Sequence, residues 1–127
     1  MSDLSKSGQP VALDETHQLI SSDKVEGTSV YGQDEEKIGS IYTLMIDKVS
    51  GQVSYAVVTF GGFFGIGSDY YPLPWSSLTY DSELGGYLVS VTREQLENAP
   101  HYREDETPWG QPGYGRGVYD YYGVPII

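Results

Sequence analysis

The segment VSYAVVTF, residues 53–60, limits the possible folds of this chain more than any other feature. In an extended chain its side chains alternate between two faces, and both faces are apolar, with Tyr55 and Val57 on one and Ala56 and Val58 on the other. We expect such a strand to be covered on both sides. The alternative is that it lines a barrel while its outer face meets a helix or another subunit.

Other short runs rich in Val, Ile and Tyr lie before and after this segment. In chain order they read TSVY, KIGSIYTLMID, DYYPLPW and YLVSV, and the turns GQDEE, KVSGQ and YDSELGG separate them. Short β-prone runs at this spacing are typical of a meander of antiparallel strands. The sequence therefore predicts an all-β fold, a small antiparallel β-barrel that is closed or partly open.

Two local features specify how the first strands pair. In KVSGQ, Ser50 and Gly51 predict a type I turn with a left-handed glycine that closes a hairpin. In KIGSIYTLMID, Ile38 and Ile41 would fall on opposite faces of a regular strand. A β-bulge near Gly39 would bring them to one face, and we expect one there.

The N-terminal residues are set apart by composition. Residues 1–16 mix Ser, Gly, Pro and acidic residues without periodicity, which is typical of a disordered leader. The barrel domain is expected over 17–92. Near its start, Ser21 or Ser22 is predicted to cap a single helical turn that Gly27 ends.

The segment 93–100 changes from strand to helix character. Thr92 and Gln95 match a capping box, which predicts one short C-terminal helix over 93–98. Leu96 would pin this helix to the barrel.

The last segment, residues 101–127, is rich in Gly, Pro and Tyr and has no period, so an extended tail is expected that wanders or lies along a surface. The chain has 12 tyrosines and 2 tryptophans, more than a small barrel can bury. Tyr and Trp are enriched at protein interfaces, so the excess rings predict either a contact between subunits or a tail that folds back on its own barrel. The candidate interaction residues are Phe63, Phe64, Ile66, Tyr70, Tyr71, Trp75, Trp109, Tyr114, Tyr119, Tyr121 and Tyr122.

The stretch GGFFGIGS, residues 61–68, is glycine-rich but does not fit a phosphate-binding loop. It has no lysine, and Pro72 and Pro74 prevent the next segment from opening a helix. We interpret it as a loop between two barrel strands, the second of which is irregular or at a sheet edge. An alternative function is a small-ligand or enzymatic site at the barrel mouth under this loop, walled by Tyr70, Tyr71 and Trp75.

Charge and composition disfavour several classes of function. The formal net charge is -11, which opposes binding to nucleic acids and to anionic lipids. The chain has no cysteine, and its histidines, His17 and His101, do not suggest a catalytic triad. The acidic runs 34–36 and 104–106 lack the EF-hand pattern, so they are interpreted as solvated turns. No catalytic, metal-binding or cofactor-binding residues are predicted. No signal peptide or membrane span is predicted either, and a cytoplasmic location is expected.

The stretch 36–81 resembles the PRC-barrel domain family, and the likeness extends over about residues 19–92. Its matching pieces are Gly39–Ile41 (G-x-I), Asp47–Gly51 (D-x-x-S-G), Tyr55–Val58 (YAVV), the pair Gly61 and Gly62, and Pro72–Trp75 (P-x-P-W). The family includes the cytoplasmic barrel of the reaction centre H subunit and the C-terminal domain of the ribosome maturation factor RimM.

This resemblance implies a barrel of about six strands that acts as a non-enzymatic adaptor or assembly surface, since the family shares no catalytic residues. We expect a homodimer or higher homo-oligomer that also binds a protein partner. A second alternative is a ribosome or RNA-processing factor of the RimM type, which the acidic charge disfavours.

Overall fold

The computed structural model describes residues 18–60 and 69–125. Strands predominate, as predicted, and short helices precede the first strand and follow the last strand along the chain. The strands are β1 (Ser29–Tyr31), β2 (Lys37–Ile46), β3 (Val53–Thr59), β4 (Tyr71–Pro74), β5 (Leu78–Asp81) and β6 (Gly86–Val89). The helices are α1 (Ser22–Val25), α2 (Arg93–Glu97) and α3 (Tyr114–Tyr122), with 3₁₀ turns at Trp75–Ser77 and Pro108–Gly110.

The six strands form one curled sheet in the order β4-β3-β2-β1-β6-β5. The sheet is a half-barrel, so the partly open form of the predicted barrel is the observed one. β4 lies at one edge of the sheet, as Pro72 and Pro74 predicted. β1–β2, β2–β3, β3–β4 and β5–β6 pair antiparallel, but β1 and β6 pair in parallel. A meander does not predict that pairing. β1 and β6 are the first and last strands along the chain, and a hairpin cannot join parallel strands.

β2 is long enough to pair with β1 and β3, and it is irregular on both sides. Against β1, Val30 pairs with Gly39 but the next residue, Tyr31, pairs with Lys37, so the register shifts by one residue between them. The predicted bulge near Gly39 is therefore confirmed. A second irregularity against β3 lies at Tyr42, between the paired residues Ile41 and Thr43.

Two hairpins close with the same D-x-x-x-G chemistry. At the β2–β3 turn, the Asp47 carboxylate accepts hydrogen bonds from the backbone N–H groups of Val49 (2.9 Å) and Ser50 (2.8 Å), and these bonds lower its pKa. Gly51 then adopts the predicted left-handed conformation, with φ +77°. The β5–β6 turn repeats the arrangement from Asp81 to Gly85. Both turns hold an aspartate at the strand end and a glycine at the only position where an ordinary side chain would strain the backbone.

The concave face of the sheet carries the main core. It is lined by buried aliphatic and aromatic side chains from every strand except β5, closed by α1 and α2. Its members include Val25, Val30, Ile38, Ile41, Ala56, Val58, Phe60, Tyr71, Leu73, Tyr87, Val89, Leu96 and Ala99.

The capping box predicted α2 correctly. The Thr92 hydroxyl accepts from the Gln95 backbone N–H (3.0 Å), and the Gln95 side chain accepts from the Thr92 N–H (2.9 Å). Leu96 is 1% exposed in the main core, as expected of the residue that anchors this helix.

The convex face of β3 and β4 is also covered, which agrees with the two apolar faces of VSYAVVTF. Val57 pairs with Pro72, and Tyr55 pairs with Pro74, on the side opposite the main core. Val57, Pro72 and Pro74 are fully buried, as is Val118 of α3. The cover is the chain's own C-terminal segment, because the Tyr119 hydroxyl donates to the Ser54 carbonyl at 2.9 Å.

The expectation of an extended tail is wrong for residues 114–122, which form α3. Gly115 and Gly117 lower the intrinsic helix propensity of this segment, so no helix was predicted there. In the structure the helix approaches β3 so closely that a Cβ on Gly115 would collide with the Tyr55 hydroxyl. Packing against the sheet therefore stabilises a helix that the local sequence disfavours.

Candidate interaction surface

Three of the predicted interaction residues in the C-terminal segment pack on Tyr55 of β3 or beside it. The Tyr55 ring lies 5.0 Å from Trp109 and 5.2 Å from Tyr119, measured between ring centroids. Tyr114 lies 5.2 Å from Trp109 in an edge-to-face contact. The indole N–H of Trp109 donates to the Tyr102 hydroxyl at 3.1 Å. Of the two alternatives for these rings, the structure places them on the chain's own barrel.

The last two tyrosines of α3 differ from each other in burial. The Tyr121 side chain is exposed, and its hydroxyl donates to the Gln95 carbonyl of α2 at 2.6 Å. Tyr122 packs against the main core, and its buried hydroxyl has no hydrogen-bond partner. Burial raises the pKa of Tyr122 well above the usual value for tyrosine. The Tyr121 hydrogen bond thus joins α3 to α2.

Tyr70, Tyr71 and Trp75 were expected to wall one site, but they have different neighbours. Tyr71 is buried in the main core, 5.1 Å from Phe60, and burial raises its pKa. Trp75 contacts Tyr87 at the end of the core, with ring centroids 5.4 Å apart. Tyr70 lies outside the core, so the three rings do not share one environment.

Tyr70 and Tyr42 form a stacked pair on the protein surface. Their ring centroids are 4.4 Å apart with an interplanar angle of 20°, and Tyr42 is 51% exposed. A hydrogen bond with the Tyr42 hydroxyl raises the pKa of Tyr70 to about 12. On its other side Tyr70 pairs with Tyr102 through two backbone hydrogen bonds of 2.8 and 3.0 Å. The pair is therefore held by both the sheet and the C-terminal segment.

Sequence reasoning missed Tyr42, Tyr55 and Tyr102 as members of these aromatic groups. The sequence places Tyr55 on one face of a strand, and Tyr102 only within the segment 101–127. Tyr42 follows the buried Ile41 in β2, so its side chain points to the opposite, outer face of the sheet. The three candidates Phe63, Phe64 and Ile66 lie outside the described residues.

His101 is the histidine in the described part of the chain. Its Nε2 lies 3.4 Å from a carboxylate oxygen of Asp69, and its Nδ1 lies 2.9 Å from the Ala99 carbonyl. The imidazole stacks on Tyr71 with ring centroids 4.9 Å apart. These contacts hold the ring between the segment before β4 and the segment after α2.

The acidic runs 34–36 and 104–106 are exposed, in agreement with their interpretation as solvated turns. Among residues 18–60 and 69–125, no group of three or more His, Cys, Asp or Glu side chains has a geometry that could hold a metal ion. Arg103 pairs with the second run, since its Nε lies 3.3 Å from Asp105.

Cavities open at the surface on either side of the α2 segment. One, of about 680 Å³, lies between the β1–β2 turn and the start of α2, and its lining includes Ile38, Val91, Leu96, Asp34 and Glu36. The smaller, of about 400 Å³, lies between the end of the α2 segment and α3. Neither is lined by the residues predicted to wall a site at the barrel mouth.

The fold and these contacts define a small, partly open six-stranded β-barrel domain whose outer face carries a packed C-terminal segment. The chain belongs to the PRC-barrel domain family, whose sequence model matches residues 17–96. This confirms the resemblance seen in the sequence. PRC-barrels are a non-catalytic kind of domain.

One relative is an uncharacterized protein of Deinococcus radiodurans, 26% identical over 80 residues. The aligned segment is 63% of this chain and 28% of that relative, so the chain spans well under half of the relative's length. Over the described residues, no helix combines the length and apolar character needed to cross a bilayer.

Proposed function

We propose that this chain is a non-enzymatic assembly module that self-associates and binds protein partners. Membership of the PRC-barrel family supports a non-catalytic role. The proposal rests chiefly on the surface pair Tyr42 and Tyr70.

This pair is the observation that carries the proposal. Most candidate rings in the described residues pack inside the chain, whereas Tyr42 leaves half of its surface exposed while its position is fixed by stacking on Tyr70. A fixed, exposed tyrosine loses little conformational entropy on binding and supplies both apolar area and a hydroxyl. Tyrosines of this kind are enriched among residues that dominate interface energies.

The first test is the mass of the full chain by light scattering over a range of concentrations. We expect a concentration-dependent dimer or larger oligomer. A monomer at every concentration would exclude self-association. Ending the chain after Tyr102 is not a clean test, because loss of α3 would uncover Val57, Pro72 and Pro74 and create a new apolar surface.

The second test compares two matched tyrosines. Tyr42→Ser should raise the dissociation constant of the oligomer about tenfold or more, as expected for a central aromatic residue. Tyr80→Ser is the control, since Tyr80 is 47% exposed but lies on β5, at the opposite sheet edge from β4. Equal effects of the two substitutions would show that Tyr42 is not the contact.

A further inference from the structure

The smaller cavity, between the α2 segment and α3, combines aromatic walls with a carboxylate. Tyr102 and Tyr114 contribute their rings, with centroids 6.4 Å apart and planes at 76°, and Pro108 contributes its apolar ring. Glu106 and Gln111 add polar groups to the lining. The cavity volume of about 400 Å³ is in the range of sites that receive one side chain or a small ligand.

Its aromatic walls are held by contacts among their own side chains. The Tyr102 hydroxyl accepts from Trp109, and Trp109 contacts the Tyr114 ring edge-to-face at 5.2 Å. The backbone N–H of Tyr114 donates to the Gln111 carbonyl at 3.2 Å, which ties the start of α3 to the cavity rim. A ligand would thus meet a preformed site rather than order one.

Tyr114 presents its ring, and not its hydroxyl, to the cavity. The hydroxyl oxygen is buried and has no hydrogen-bond partner, so it is closed to a ligand in the cavity. The residue is part of the lining all the same. An aromatic face attracts a cation, so the ring can contribute to binding without the hydroxyl.

The surroundings of the cavity are acidic. Glu106 lines it, and Glu104 and Asp105 directly precede Glu106 in the chain. Arg103 pairs with Asp105 and Glu106. Glu106 is held in place, since its carboxylate accepts from the Arg103 backbone N–H at 2.6 Å. With a chain charge of -11, a cationic partner is favoured over an anionic one.

We propose that this cavity binds the guanidinium group of an arginine in a basic segment of a partner protein. A guanidinium is planar and has five N–H donors and no acceptor, so it stacks on a tyrosine ring while donating to Glu106. A lysine ammonium is a compact point charge and matches this combination less well. The inference rests on the proposed function, because it names the chemistry of one protein partner.

The test is an NMR titration of the ¹⁵N-labelled full chain with the peptide acetyl-Gly-Arg-Gly-amide. We expect saturable shifts of the Trp109 indole N–H and the Gln111 amide. The same peptide with citrulline, a neutral analogue of arginine, should give no saturable shift, and the lysine peptide should bind more weakly. Citrulline or lysine peptides that bind as well as the arginine peptide would overturn the assignment.

Paired variants locate the site. Glu106→Gln keeps the acceptor for the Arg103 N–H but loses the charge, and it should weaken binding about tenfold, the value of a charge-assisted hydrogen bond. Glu104→Gln changes the net charge equally and is the matched control, expected to change binding by about twofold or less. Equal losses would mean that the peptide follows the overall charge, which contradicts a site.

Failure of the arginine peptide to bind leaves self-association to be judged separately by the Tyr42→Ser comparison. The two proposals can therefore fail independently.

Discussion

Docking of α3 on the convex face of the sheet can be tested through Val118. This residue is 0% exposed, and its helix covers the side of β3 and β4 that faces away from the main core. Val118→Ala removes two buried methyl groups without adding a polar atom or changing the charge. It should loosen the helix from the sheet.

The expected size follows from burial. Loss of one buried methyl group costs about 0.5–1.5 kcal/mol, so two cost about 1–3 kcal/mol when the site does not collapse. Alanine recovers up to about 0.7 kcal/mol because it has a higher helix propensity than valine. The net loss should be about 1.5 kcal/mol, which corresponds to a roughly tenfold increase in the population of the undocked helix.

The assay is native-state hydrogen exchange of α3 amides, with urea unfolding measured in parallel. Arg116→Ala is the control on the same helix, because Arg116 is exposed and should change stability by less than about 0.5 kcal/mol. Exchange in α3 should be about tenfold faster in the Val118 variant than in the control. Equal exchange in the two variants would refute the docked arrangement.

Three further predictions concern stability. Thr92→Ala removes the α2 cap and should cost about 1 kcal/mol in urea unfolding, while a loss near zero would contradict the capping box. Gly51→Ala should destabilise the protein by about 1–2 kcal/mol, since φ is +77° there. Gly117→Ala should instead stabilise it by up to about 1 kcal/mol, because a Cβ at this position of α3 meets open space. Effects of the same sign in urea unfolding would contradict the backbone conformation at one of the two positions. Burial raises the pKa of Tyr114 to about 12 from its ordinary value of 10.0, so the folded chain holds this proton more tightly than the unfolded chain. The stabilisation of the fold by the protonated Tyr114 hydroxyl is complete below about pH 10 and should be lost as the pH rises from about 10 to 12. In that window Tyr114→Phe should reduce the slope of the unfolding free energy against pH.

Features set by neighbours along the chain could be predicted from the sequence. The left-handed Gly51, the capping box of Thr92 and the bulge near Gly39 each depend on a few consecutive residues. The two-faced strand 53–60 also predicted correctly that a helix or another subunit would cover its outer face. Its periodicity could not say which, since either cover presents the same apolar pattern.

Features set by distant contacts could not be predicted. The parallel pairing of β1 with β6 joins strands more than 50 residues apart and has no local signal. Helix α3 depends on its packing against Tyr55, which overrides the low propensity of Gly115 and Gly117. The stacking of Tyr42 on Tyr70 joins residues of β2 and the segment before β4, and no pattern within β2 indicates that contact.

The part of the chain that packs together is longer than the part that matches the family, because the C-terminal segment covers the barrel. The family match ends at residue 96, yet the cover for Val57 and Pro72 comes from beyond that point. A barrel inherited without this segment would carry an uncovered apolar face and would have to find a substitute cover. The stability of the barrel therefore depends on residues that lie beyond the family match.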